Sequence, residues 1–557
     1  MNHLMGSHLS NISDNNPFVR RSRLMSDIDS NSETAADDSE TDADLNTILR
    51  YLIRRGHIRF IRSSSSSNDD DSDTTDDSGY VYQRSNSSRR YQTPIVNVPN
   101  PDTSVIDESD LKLILRAQTG LKPDKPLPPI PMLFRNREIG VNSYGDHGST
   151  QVFGLSDRCK LSDTFLPNKM STVEQYPSKA FCGFYSKSGD LFLTACQDTN
   201  IRIYDTKYDK FKLLKTVWAR DVGWSVLDTD FSPNGTHFIY SSWSECIHIC
   251  NIYGDNETHE ALSLSPDDRR FCIFSLRFSQ NGSEILGGAN DKCLYVYNRE
   301  CKSRVLKIRC HEDDVNSVAF ADSSSQILFS AGDDGLCKVW DRRTLNETDP
   351  KPVGTFSGHV DGITYIDSKG DGRHLITNSK DQSIKLWDMR CFSPPTGSEA
   401  TRRAVSKQNW DYRWQAIPRK LLSNRKKIEG DTSLMTYMGH SVLQTLIRCH
   451  FSPEWSTGQR YIYTGCSSGK IVIYDVLSGK IVKTLSGHRG CVRDVSFHPY
   501  DMTLMSSSWD GTIIKWIYAD ENALSYETDS DTDSEFCRST GLRRSKRLAE
   551  KRRRTQE

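Results

Sequence analysis

Arg343 and Arg390 end two copies of one pattern, 47 residues apart. The first copy reads Ile-Leu-Phe-Ser-Ala-Gly-Asp-Asp-Gly-Leu-Cys-Lys-Val-Trp-Asp-Arg-Arg at 327–343, and the second His-Leu-Ile-Thr-Asn-Ser-Lys-Asp-Gln-Ser-Ile-Lys-Leu-Trp-Asp-Met-Arg at 374–390. A guanidinium presents five donors in a rigid fork, so two of them side by side can grip carboxylates or carbonyls on a partner. The competing use is local: each Arg can pair with Asp341 or Asp388, two positions before it, for under about 1 kcal/mol. No phosphate loop, Cys-x-x-Cys pair or His-Glu-x-x-His stands in the chain, so recognition rather than catalysis is expected, with no cofactor, metal or small-molecule substrate.

The elements that must carry these arginines repeat. Aligning the residue that closes the third strand of each unit gives Tyr204, Cys250, Tyr297, Trp340, Trp387, Tyr474 and Trp516, at intervals of 46, 47, 43, 47, 87 and 42. Six positions earlier stand Asp198, Ser244, Asp291, Asp334, Asp381, Ser468 and Asp510, and an Asx side chain there can bond its own backbone in a tight turn. A period of about 40 to 45 residues with Gly-His and Trp-Asp signatures indicates β-propeller blades. The expected fold is therefore all-β, a seven-bladed propeller over 151–520. Two arginines just past the third strands of neighbouring blades should project from one face. His311, His359, His440 and His488 open four units, 28 to 34 residues before the closing aromatic. The units resemble WD repeats, and that resemblance implies buried structural sets in which such a His joins the turn Asp and the strand Trp: His311, Asp334 and Trp340; His359, Asp381 and Trp387; His488, Asp510 and Trp516.

The 87-residue interval holds 391–433, which lacks an alternating strand pair or a turn Asp and reads as a basic insertion rather than an eighth blade. Its Trp410-Asp-Tyr-Arg413 copies the letters of the motif without a preceding strand. After Tyr518 no fourth strand remains for the last unit, so a segment between about 160 and 175 should close the ring and remove an open edge.

Outside the repeats composition changes. Residues 1–44 are rich in Ser, Asn and Asp and cannot bury enough apolar surface to offset ordering entropy, so disorder is expected. Leu45, Ile48, Leu49, Leu52 and Ile53 then fall at helical spacing in 45–56, with Arg54, Arg55 and Gly56 at the end, predicting a short amphipathic helix that docks on its own propeller or on a partner. Residues 57–150 read as a disordered, Pro-rich linker with a hint of helix at Leu111–Leu115, and order is expected from Gln151. The tail alternates Ser or Thr with acids over Glu527–Glu535, then carries Arg543, Arg544, Lys546 and Arg547, and Lys551, Arg552, Arg553 and Arg554. Such basic clusters read as nuclear import signals, giving nucleus and cytoplasm as the expected location. A formal net charge of -1 exerts no overall pull on nucleic acid or anionic membrane, and neither is expected as a partner. Fifteen cysteines at irregular spacing, mostly in strand-like runs, read as free thiols in a reducing compartment.

Tandem units ending in Trp-Asp-x-Arg resemble the WD-repeat substrate receptors of cullin-4 RING ubiquitin ligases, which dock on the damaged-DNA-binding adaptor. The family pattern is matched at Ile327, Leu328, Ala331, Asp334, Leu336, Trp340, Asp341 and Arg343, and again at Leu375, Ile376, Ser379, Asp381, Ile384, Trp387, Asp388 and Arg390. The last aliphatic stands two positions after the Asp in one copy and three in the other. The resemblance implies a non-catalytic receptor that brings substrates, among them leucine-zipper stress-response transcription factors, to ubiquitination and proteasomal degradation. It also implies adaptor contacts through Arg343, Arg390, Asp341 and Asp388, with Leu45, Leu49, Leu52 and Ile53 in an adaptor groove. The competing reading is a nuclear scaffold or chromatin-binding propeller in which the basic tail carries affinity.

Overall fold

The computed structural model describes residues 101–120, 129–139, 153–207, 211–254, 258–266, 270–422 and 427–520. The amphipathic stretch at 45–56, the acidic tail and both basic clusters lie outside them. Seven four-stranded antiparallel sheets form a β-propeller. Blade 1 is β2 (Ala180–Tyr185), β3 (Leu191–Cys196), β4 (Asn200–Asp205) and β5 (Lys212–Trp218). Blades 2 to 4 repeat this order: β6 (Asp228–Phe231) to β9 (His259–Ser263), β10 (Ile273–Phe278) to β13 (Ser303–Arg309), and β14 (Val315–Phe320), β15 (Ile327–Gly332), β16 (Cys337–Asp341) and β17 (Gly354–Phe356). Blade 5 comprises β18 (Ile363–Ser368), β19 (His374–Ser379), β20 (Ser383–Asp388) and β21 (Met435–Met438), and blade 6 runs from β22 (Cys449–Phe451) to β25 (Ile481–Ser486).

Blade 7 takes β26 (Val492–Phe497), β27 (Leu504–Ser508) and β28 (Thr512–Ile517) from the end of the repeats and β1 (Lys169–Gln175) from before them, in the order β1-β28-β27-β26. Lys169 pairs with Ile517 and Gln175 with Thr512, so the ring closes with β1 on the last free edge. The strand is shorter than the 160–175 window, because Leu155–Thr164 is helical.

The alternation of the strands makes the core. Leu328, Phe329, Ala331, Val339 and Trp340 of blade 4, and Leu375, Ile376, Ile384, Leu386 and Trp387 of blade 5, are all at most 2% exposed. Among the described residues fourteen cysteines are free, and most are buried as small apolar residues.

Residues 101–120 and 129–139 depart from the expectation of a disordered linker. Three helices occur there: α1 (Ser104–Glu108), α2 (Asp110–Thr119) and α3 (Ile130–Ile139). Ile106, Leu111 and Leu115 are buried in one cluster with Leu434, Met435 and Val476 of blades 5 and 6. The Pro-rich composition conceals them, because a few apolar anchors at helical spacing suffice once a propeller surface is present to bury them. Helix α4 (Leu155–Thr164) adds an Asp163–Arg460 ion pair at 2.7 Å.

Candidate functional site

Register divides the loops between two faces. The turns between first and second strands, and between third and fourth, lie on one side, which we call the lower face; the remaining turns lie on the upper face. Arg343 follows β16 and Arg390 follows β20, so both stand on the lower face of adjacent blades. Their side chains are 67% and 57% exposed.

Their surroundings differ. Arg343 wraps back on Asp341, with Nε 2.9 Å from Oδ1 and Nη2 2.6 Å from Oδ2. Hydrogen bonding by Arg343 holds the Asp341 carboxyl low, at about 2. Arg343 also borders a polar cleft of about 500 Å³, lined by Ser279, Gln280, Glu284, Ser324 and Arg342. Arg390 instead donates to Asp110 of α2 at 2.7 Å, with Asp388 farther off at 3.4 Å.

Asp388 departs from the implied adaptor contact. Its side chain is 4% exposed and accepts from Arg373 Nη2 at 2.7 Å and from the Arg390 backbone N–H at 3.0 Å. It fixes the turn from beneath, leaving the guanidinium outside. Asp341 is 16% exposed and committed to Arg343. Leu45, Leu49, Leu52 and Ile53 lie outside the described residues.

The histidine sets sit on the upper side of their blades. His311 Nδ1 lies 2.9 Å from Asp334 and Nε2 2.8 Å from Ser330, whose hydroxyl also takes the Trp340 indole N–H at 2.9 Å. His359 repeats this with Asp381 (3.0 Å) and Thr377 (2.7 Å), and Trp387 donates to Thr377 at 2.8 Å. His488 bonds Ser506 at 2.7 Å, beside Trp516 on the same hydroxyl, but reaches Thr512 at 2.8 Å more closely than Asp510 at 3.3 Å. His440 has another set: Tyr474 at 3.0 Å and Asn378 of the preceding blade at 2.9 Å, and burial lowers it to about 4. Every nitrogen bond here ends on a residue of the propeller, which is the geometry of a structural pin.

The insertion forms helices α5 (Pro395–Ser406) and α6 (Arg419–Leu422) between β20 and β21. It leaves the lower face after Arg390 and reaches the upper one, where Trp410 Nε1 donates to Asp361 at 2.8 Å and Tyr412 O accepts from Gln444 N at 2.8 Å. Trp410–Arg413 occupies this loop rather than a strand end, so Arg413 is not a third member of the lower-face pair.

The first strands line the axis with charge. Arg448 of blade 6 lies within 2.5 Å of Asp228 of blade 2 and 2.9 Å from Asp494 of blade 7, and Arg277 of blade 3 lies 3.0 Å from Asp228. Burial pushes Asp494 up, but Arg448 and His450 beside it outweigh that and bring it to about 2. No short motif announces this network.

The family model described as "WD domain, G-beta repeat" matches residues 302–341, 350–388 and 479–516. A Caenorhabditis elegans protein named DDB1- and CUL4-associated factor 11 homolog is 40% identical over 404 residues, covering 70% of this chain and 70% of its own. The LEC14B protein of Lithospermum erythrorhizon is 42% identical over 407 residues, covering 71% and 83%. This chain belongs to the DDB1- and CUL4-associated factor 11 homolog and LEC14B family. The matched repeats of this family member include both arginine-bearing blades: the first two segments stop at Asp341 and Asp388, each two residues short of its arginine.

Proposed function

We propose that the chain is a non-catalytic substrate receptor that docks on the DDB1 adaptor of a cullin-4 RING ubiquitin ligase through its lower face and presents proteins for ubiquitination. The observation that carries this reading is the pair of exposed guanidinium groups, Arg343 and Arg390, on the same face of adjacent blades in a chain whose relatives are named for DDB1 and CUL4. Asp341 and Asp388 act as positioning residues, because the free edge of each fork, not its carboxylate, faces outward. Loss of a central interface Arg typically costs about 2 kcal/mol or more. The basic clusters at 543–554 serve nuclear import in this reading.

The test is co-purification of DDB1 with wild type and with an Arg343→Ala, Arg390→Ala double variant, with circular dichroism to check folding. Loss of DDB1 with an unchanged spectrum is expected. Equal recovery from both proteins would move docking to the 45–56 stretch, and no recovery from wild type would overturn the reading.

A further inference from the structure

The cleft of about 500 Å³ beside Arg343 lies between two turns of the lower face, 279–283 of blade 3 and 321–326 of blade 4. Each turn contains a Ser-Gln step, the pair that Gln-directed protein kinases read, and the two serines differ in access. Ser279 is 3% exposed, and its hydroxyl donates to Asn281 Oδ1 at 2.7 Å and to Glu284 O at 3.1 Å. Ser325 is half-buried at the tip of its hairpin, where its Oγ accepts from the Gln280 N–H at 2.9 Å at the edge of the cleft. Of the two, only Ser325 can be offered to a kinase.

Register aims Ser325 at Arg343. Ile327 pairs with Asp341, and Arg342 N donates to Gln326 O at 2.7 Å, so the next step of the antiparallel count sets Ser325 opposite Arg343. Arg343 meets Asp341 through Nε and Nη2, and Arg342 meets Glu284 through the same two atoms, at 3.2 and 2.7 Å. Each fork therefore keeps its Nη1 edge for a further acceptor. Three more charges stand at the rim: Asp322 accepts from Ser324 N at 2.8 Å, Lys187 donates to the Gln280 side chain at 2.7 Å, and Arg299 donates to Gly282 O at 2.8 Å. A phosphate on Ser325 adds about −1.5 to −2 charges and three acceptor oxygens at this spot. One oxygen can keep the Gln280 N–H while another takes Nη1 of Arg343 in a charge-assisted bond.

We propose that Ser325 is a phosphorylation site, and that its phosphate closes on Arg343 and withdraws that arginine from the adaptor. Only the second half of this inference rests on the docking reading. In the transfer, Ser325 Oγ bonds to the γ-phosphorus of ATP held by a protein kinase as the bond from that phosphorus to the bridging oxygen of ADP breaks. The hydroxyl proton passes to the kinase's base, and no group changes oxidation state. Arg390, on the neighbouring blade, is untouched, so docking weakens without vanishing.

The full chain is incubated with ATP and a purified Gln-directed kinase, and the modified residues are read by mass spectrometry. Phosphate should appear at Ser325 and not at Ser279, and Gln326→Ala should remove it. A chain that stays unmodified at Ser325 would overturn the proposal. Full chain carrying phosphoserine at 325, introduced during translation and checked for folding by circular dichroism, is then titrated by phosphorus NMR. A guanidinium favours the dianion, so the second midpoint of the phosphate should lie about half a unit or more below its ordinary value near 6. Arg343→Ala should restore it, and equal midpoints in the two proteins would overturn the pairing. DDB1 affinity, measured by calorimetry, should fall about tenfold on phosphorylation, and much less where Arg343→Ala is already present. Equal binding of DDB1 to both forms of the wild-type chain would overturn the withdrawal of Arg343. A lowered midpoint in a chain that binds DDB1 in neither form would remove the docking reading and still support the pairing.

Discussion

The carboxylate of Asp110 lies 2.7 Å from the guanidinium of Arg390 and 3.4 Å from that of Arg373, although 280 positions separate it from the first of them. A helix that precedes the propeller thus holds one of the two lower-face arginines, while the other, Arg343, is held by Asp341 within its own turn.

Asp110→Ala should leave stability almost unchanged, since exposed pairs contribute roughly 0–1 kcal/mol. Freeing a long side chain that binding must then order costs about 0.5–1.5 kcal/mol. DDB1 affinity, measured by calorimetry, should therefore fall several-fold. Tighter binding would mean that Asp110 competes with the adaptor for Arg390.

Breaking the axial network should be severe. Arg448→Met removes the cation shared by Asp228 and Asp494 and leaves Arg277 beside the first and His450 beside the second, and removal of one partner from a buried pair costs about 3–5 kcal/mol. A clearly lower urea midpoint is expected, with partial recovery when Asp228→Asn is added, because one excess buried charge is then gone.

The same network sets a pH dependence. Asp494 is depressed in the folded chain, to about 2, so its contribution is complete above the ordinary carboxylate range near pH 4 and is lost as pH falls towards 2. For His450, burial opposes the charged form but Asp367 and Asp494 outweigh it and raise the pKa, so its contribution is complete below the ordinary histidine range and is lost as pH rises through the folded value. Thermal midpoints should peak in mildly acidic buffer, and His450→Gln should flatten the alkaline limb and shrink the acid one in part, because Arg448 alone then holds Asp494 down.

The histidine sets should differ in their sensitivity. Asp334→Ala leaves His311 Nδ1 without its acceptor in a fully buried site, at about 1–3 kcal/mol per orphaned group. Asp510→Ala should cost less, because His488 keeps Thr512 at 2.8 Å. Chemical denaturation of the two variants side by side measures the order.

Much of the ring was legible in the sequence because each third strand closes on Tyr, Cys or Trp six positions after a turn residue, a spacing the strand geometry imposes. The closing strand followed from the missing fourth strand after Tyr518. The Trp410 motif was separable from Arg343 and Arg390 by the absence of a strand before it. What composition hid was tertiary. Helices α1 and α2 depend on three apolar anchors that mean nothing without blades 5 and 6 to bury them. Asp228, Arg277, Arg448 and Asp494 meet only because first strands converge on an axis, and no local periodicity encodes that meeting. Arg343 and Arg390 were legible as exposed forks, whereas the burial of Asp388 depends on Arg373, which lies in no motif.

The borrowed strand β1 also fixes an order of events at the ribosome. Lys169–Gln175 emerges first, and its partner Thr512–Ile517 is made only after all the other blade strands. At about 5–20 residues per second, roughly 20 to 70 seconds separate the two. Through that interval the leading strand has no partner, so the ring cannot close until the last blade arrives.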